Sequence, residues 1–318
     1  MNLRIPGPTP VPAEVAQAGA AEMVDHRGPE FAAIMDRVTT GVKEVFQTKN
    51  DLAILTASGS GAMEAAVVNH ISPGEEVIVV TVGEFGKRFL ELTNVYGARP
   101  IEIAFEAGEP ADPNRIEEVI KANPQVQTVL VTHNETSTGI TNPLKDIAKA
   151  VKGTGRFLIV DAISSLSSIP VEVDAWDLDV VLSGSQKGWM VAPGLAFVSM
   201  SERAKEVQSK TTTPRFYLDL KRAVGAREKR EESRAVQTVE KKHAAGRRAQ
   251  RLGESRLQHL RPRRMIAFDQ HENAVGIAFQ GAAVKRVRIG VIFEQGLRGD
   301  IERLVFRQAK RGAVGQGV

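Results

Sequence analysis

The sequence contains no cysteine. Disulfides, thiolate-held metals, iron–sulfur clusters and a cysteine nucleophile are therefore excluded, and the fold must stand on packing alone. Aromatic side chains are scarce, at 5% of the chain, and neither Tyr nor Trp follows Tyr217. Long apolar runs are also missing: the longest extend over only a few residues, far below the roughly 18 needed to cross a bilayer. The opening MNLRIPGPTPVP is too rich in proline for a signal peptide, so the expectation is a cytoplasmic protein with no membrane partner. What is present, 42% apolar and 25% charged residues over 318 positions, is the balance of a globular chain. It is long enough for a sizeable core and about two domains.

The formal charge of +4 conceals an asymmetry. Residues 1–223 hold 21 Lys+Arg against 28 Asp+Glu, net −7, whereas residues 224–318 hold 21 against 10, net +11. A basic excess confined to one end reads as a solvated face or a surface for an acidic partner. The basic stretches REKREESR, KKHAAGRRAQR and LRPRR show no sustained apolar period. Only residues 265–268, 287–293 and 301–306 resemble strand or helix there. The division expected is an N-terminal arm over 1–24, a main domain over 25–223 and an atypical basic region over 224–318. A reading-frame shift near Ala223 would explain both the charge jump and the Arg/Ala/Gly/Val texture, with a divergent basic domain as the alternative.

Between residues 52 and 199, β-branched runs alternate with helical patterns. Strands are expected at 52–56, 76–82, 99–105, 127–132, 157–161, 179–183 and 195–199. Runs such as VIVV and FLIV are continuously apolar, as strands covered on both faces by helices require. Helices are expected at 29–46, 115–122 and 143–151. The first carries Phe31, Ile34, Met35, Val38, Val42, Val45 and Phe46 on one stripe. In the third, Asn142 is placed to cap and Pro143 to occupy the first turn. Alternating strand and helix predicts an α/β fold with a mainly parallel seven-stranded sheet, whose ligands sit at the carboxyl ends of the strands.

Four segments fall at those ends. Residues 58–64, SGSGAME, combine small side chains with a helix start, and read either as a phosphate cradle or as a flexible turn. Asp161 ends the run FLIV; a carboxylate there needs a cationic or hydrogen-bonding partner, unless it only caps the turn. Lys187, within SGSQKGW, sits where a Schiff-base amine would, or is an ordinary solvated lysine. The loop THNETSTG, residues 132–139, offers hydroxyls and an amide that could bond a ring oxygen or simply shape a turn. His133 within it is expected to make a structural hydrogen bond. His26, His70, His243, His259 and His271 show no metal-ligand spacing, and no metal site is expected.

Taken in order, SGSGAMEA, THNETSTG, FLIVDAISS and SGSQKGW resemble the class V group of fold-type I aminotransferases, specifically its alanine–glyoxylate and serine–glyoxylate (serine–pyruvate) members. PGPTPVP, DHRGPEF and RFYLDLKR extend the likeness, which spans residues 3 to about 222. The resemblance implies pyridoxal 5'-phosphate as cofactor and ping-pong transfer of an amino group from alanine or serine to glyoxylate or pyruvate. It also implies Lys187 as the amine that carries the cofactor and moves the α-proton, and Asp161 as partner of the ring nitrogen. Ser60, Gly61, Ala62 and Gln186 would hold the phosphate, Thr136 the ring oxygen, and Phe85 would stack on the ring. Cysteine desulfurases share the cofactor logic but need a thiol that this chain lacks. Homodimers are implied, with small amino and 2-oxo acids as substrates and no nucleic acid.

The likeness stops after Arg222. Relatives supply a Tyr/Thr pair to the neighbouring subunit's phosphate site, and nothing at 236–239 matches it. A late Arg-Ile-Gly, whose guanidinium grips the substrate carboxylate in two-pronged fashion, is reproduced at Arg288, though soon after Lys187. An inactive or truncated relative and a basic-tailed polyanion-binding protein are the competing expectations.

Overall fold

A computed structural model describes residues 5–228 and the backbone of three later strands. The chain forms two compact units, Met1–His243 and Ala244–Val318. In the first, α1 (Ala13–Gly19) and α2 (Pro29–Phe46) lead into β1 (Asp51–Thr56), α3 (Gly59–His70), β2 (Glu76–Thr81), α4 (Glu84–Val95), β3 (Arg99–Ala104), α5 (Pro113–Ala122) and β4 (Thr128–Thr132). A small hairpin, β5 (Asn134–Glu135) and β6 (Ile140–Thr141), occupies part of what the sequence suggests is plain loop. Then come α6 (Leu144–Gly153), β7 (Phe157–Asp161), β8 (Val180–Gly184), β9 (Leu195–Met200), α7 (Glu202–Lys210) and α8 (Leu220–Glu228).

Seven strands form one sheet in the order β1-β9-β8-β7-β4-β2-β3, each within two residues of its expected position. β8, β7, β4, β2 and β3 are parallel, and β9 runs antiparallel to both β1 and β8. Every residue of β4, β7 and β8 is buried because helices cover both faces. Side-chain alternation divides β7 between two cores. Leu158 and Val160 pack with Val42, Phe46, Ile116 and Ile147; Phe157 and Ile159 pack with Met63, Val67, Phe89 and Ala204. Each large aliphatic side chain buried in this way contributes roughly 1.5–3 kcal/mol.

Two details differ from the sequence reading. In α2, Thr39, Val42 and Phe46 are buried, Phe31, Ile34 and Met35 are half-buried, and Val38 and Val45 are exposed. Only the second half of the helix packs into the core, since periodicity identifies an apolar face but not what covers it. In α6 the capping position belongs to Pro143. The Asn142 side chain is drawn elsewhere, accepting from Ala111 N at 2.8 Å and donating to Thr132 O at 2.7 Å. Two buried backbone groups are satisfied in place of one helix terminus.

The second unit contains a three-stranded antiparallel sheet of β10 (Arg264–Asp269), β11 (Ala274–Phe279) and β12 (Lys285–Arg288). The expectation for 265–268 falls within β10. That for 287–293 reaches only the end of β12, and its remainder, with 301–306 and 236–239, lies outside the described residues. Among the described residues no helix is long and apolar enough to cross a membrane.

Candidate functional site

Because β9 opposes both of its neighbours, β1 and β8 point the same way, and with β7, β4 and β2 they bring five carboxyl ends to one edge of the sheet. Residues 58–62 follow β1, Phe85 follows β2, Thr136 follows β4, Asp161 ends β7, and Gln186 and Lys187 follow β8. A separate cavity of about 520 Å³ lies among the amino ends of β2, β3, β4 and β7 and against α7, and none of these residues borders it.

The turn carrying Lys187 is pinned on three sides. Ser185 Oγ donates to Ala192 O at 2.7 Å and accepts from Leu195 N at 3.2 Å. Trp189 donates to Ser183 Oγ at 2.9 Å, and its ring packs between Phe46 and Phe197. The N-terminal segment crosses over the lysine: Thr9 N donates to Gln186 O, Thr9 Oγ1 to Lys187 O, and Lys187 Nζ to Pro6 O at 3.0 Å. Gly7 has φ of +152°, a backbone conformation that favours glycine, and a Cβ there would fall 2.7 Å from Nζ. Lys187 is half-buried, and burial pushes its amine below the ordinary lysine range against the pull of Asp161.

Asp161 is 2% exposed. Its Oδ1 accepts from Ile163 N at 2.9 Å, so the capping reading holds, yet burial still raises its pKa from 3.8 to about 7. The charge of Glu135 pushes the same way; Arg88 and Lys187 oppose it. The carboxylate thus lacks enough positive charge to offset its desolvation.

At the start of α3, Ser58 Oγ caps the helix by accepting from Gly61 N at 3.3 Å. Ser60 Oγ, in the first turn, accepts from Arg88 Nη1 at 3.1 Å. Gln186 Oε1 is buried without a hydrogen-bond partner, beside Gly184, where Gly59 of α3 also packs. Phe85 is set by Glu135, which caps α4 from another segment. Oε2 accepts from Phe85 N at 2.9 Å and Gly86 N at 3.1 Å, while Oε1 accepts from Ser137 N and Ser137 Oγ. A Cβ on Gly83 would lie 2.6 Å from Glu135 Cγ, so the close approach requires glycine. Thr136 Oγ1 donates to Ser164 Oγ at 3.1 Å, which donates in turn to Asn134 O. His133 Nδ1 bonds Ser165 Oγ at 3.0 Å, and burial lowers its pKa to about 4, so the ring is neutral.

The structure therefore gathers Ser60, Gly61, Ala62, Phe85, Thr136, Asp161, Gln186 and Lys187 at one edge. Arg288 is the last residue of β12, in the other unit, and its side chain lies outside what is described. Among the described residues no group of three or more His, Asp or Glu could hold a metal. Three contributors escape the sequence reading: Arg88, Glu135 and the strap at residues 6–9. Glu135 and the strap stand inside quoted motifs, THNETSTG and PGPTPVP, and Arg88 is three residues beyond Phe85 on a helix, where a helical-face argument would have found it.

Over residues 4–217 the chain matches the family described as "Aminotransferase class-V". It is 47% identical over 221 residues to the "Soluble hydrogenase, small subunit" of Synechococcus sp. (strain PCC 6716), covering 69% of this chain and 58% of that protein. To the serine–glyoxylate aminotransferase of Methylorubrum extorquens it is 33% identical over 208 residues, covering 64% and 52%. A crystal structure of an alanine–glyoxylate aminotransferase from Nostoc sp. superposes with a TM-score of 0.67 at 32% identity, covering 70% of this chain and 61% of that one. The chain thus spans between half and two thirds of the length of these proteins.

Proposed function

The chain belongs to the class-V aminotransferase family, and from that premise we propose that it is a pyridoxal-phosphate-dependent aminotransferase moving an amino group from alanine or serine to glyoxylate or pyruvate. The observation that carries this reading is the pairing, at one strand edge, of a half-buried amine of lowered pKa with a buried carboxylate short of positive charge. Relatives named for serine–glyoxylate and alanine–glyoxylate transfer support the substrate class. The hydrogenase name of another relative suggests no thiolate-held metal here, because the chain has no cysteine.

The residues present fit the cofactor. Asp161 would meet a cationic ring nitrogen, which supplies the charge its site lacks. Ser60, Gly61, Ala62 and Gln186 would hold the phosphate end at the start of α3, where backbone N–H groups and the helix dipole favour an anion. Phe85 would cover the ring and Thr136 reach its oxygen. When bound, pyridoxal phosphate supplies an aldehyde carbon and an electron-withdrawing ring that accepts charge from the substrate Cα.

Lys187 Nζ, whose pKa is lowered by burial, would be the base that takes the proton from the substrate Cα. To do so it leaves Pro6 O, its present acceptor, while the pinned turn keeps its Cα fixed. Asp161, in its charged form, would hold the proton on the ring nitrogen. Arg288 is assigned to the substrate carboxylate on the resemblance alone, as is a homodimer.

Borohydride reduction of the protein loaded with pyridoxal phosphate, followed by peptide mapping, tests the reading. A covalent adduct on Lys187 that disappears in Lys187→Ala is expected; an adduct elsewhere, or none, overturns it. One observation favours a second reading, a relative that holds the cofactor without turnover: the family match ends at residue 217 and the net charge beyond residue 223 is +11. A loaded protein whose absorbance changes with alanine or serine, and reverts with glyoxylate or pyruvate, decides for the enzyme.

A further inference from the structure

We infer that Arg88 is the cation that binds the phosphate end of the cofactor in this chain. The inference rests on the reading above and adds a residue to it. A phosphate monoester carries close to two negative charges at neutral pH. The partners assigned to it, Ser60, Gly61, Ala62 and Gln186, carry no formal charge. The α3 terminus offers only the fractional charge of its dipole, and Lys187 is committed to the aldehyde end.

Arg88 supplies what is missing. Its Nη1 lies 3.1 Å from Ser60 Oγ, so the guanidinium already touches the first turn of α3. Its carbon stands 4.7 Å from the centroid of the Phe85 ring, a stacking that holds the guanidinium plane in place. Phe85 is itself fixed through the two backbone bonds to Glu135. The charge of Arg88 is felt at Asp161, so it stands on the same strand edge as that carboxylate. Among the described residues no carboxylate forms an ion pair with Arg88, whereas the adjacent Lys87 pairs with Glu84 on the exposed face of α4. A planar guanidinium, unpaired and aimed at an anion-binding helix start, matches phosphate oxygens in two-pronged fashion.

The test compares two aldehydes that differ only at the proposed contact. Dissociation constants for pyridoxal phosphate and for pyridoxal are measured by absorbance titration of wild type, Arg88→Ala, Arg88→Lys and Lys87→Ala. Losing one charge-assisted contact should weaken pyridoxal phosphate about tenfold to a hundredfold in Arg88→Ala. Pyridoxal binding should stay within about twofold. Arg88→Lys should fall between, keeping the charge without the fork, and Lys87→Ala should match wild type. Equal loss of both aldehydes, or loss of neither, overturns the proposal. Melting temperatures of each variant, with Arg88→Gln as a second neutral replacement, separate lost binding from lost folding. Failure of the underlying reading shows differently: wild type then yields no borohydride-trapped adduct at Lys187 with either aldehyde, and the proposal falls with it.

Discussion

A carboxylic acid placed where water cannot reach it makes the protein sensitive to pH in a calculable direction. Asp161 has a folded pKa of about 7 against 3.8 for the free side chain, chiefly through burial. A raised carboxylate pKa means that folding favours the protonated form. Its contribution is therefore fully present below pH 3.8 and is lost as pH rises toward and through 7. The cofactor-free Asp161→Asn variant should melt higher than wild type at pH 8, by the equivalent of a few kcal/mol, and the two should converge near pH 4. Equal melting temperatures at pH 8 would show that the carboxylate finds its charge partner within the protein. Lys187 and Asp161 were legible in the sequence because each closes or follows an apolar strand, where side chains emerge at the ligand edge. Arg88 and Glu135 were not, because their importance comes from contacts with segments 28 and 49 to 50 residues away that only the fold brings near.

At the scale of elements, α4 begins without a cap of its own. Gly83 has no side chain to offer, and Glu135 of β5 serves in its place, reaching Phe85 N and Gly86 N. Glu135→Ala would strand those two donors, one in a buried residue, at a cost of roughly 2–4 kcal/mol. Urea unfolding should register this as a lower midpoint with an unchanged slope. Gly83→Ala should be destabilising too, since its Cβ would meet the Glu135 side chain. The strands were the most legible elements, because continuous runs such as FLIV mark burial on both faces whatever their neighbours. Their order was not, since nothing in β1 indicates that β9 will lie beside it. Helix ends were read less well: Asn142 has the chemistry of a cap, but its amide is worth more on Ala111 N and Thr132 O.

For the molecule as a whole, two buried histidines add to sensitivity toward acid. Burial lowers His70 and His133 from 6.5 to about 4. Their contribution to stability is present above pH 6.5 and is lost as pH falls through 4, opposite in sign to that of Asp161. Wild type should lose melting temperature between pH 6.5 and 4, and His70→Gln should make that loss shallower; an unchanged profile would assign acid lability to other groups. The sheet order also reaches beyond equilibrium. β9 lies between β1 and β8, bonded to both, and so joins the segment bearing Ser60 to the one bearing Lys187. On the ribosome, the two halves of the site wait for their connector. A nascent chain released before Leu195 leaves β1 without its partner, and every earlier intermediate carries an unpaired edge open to other chains.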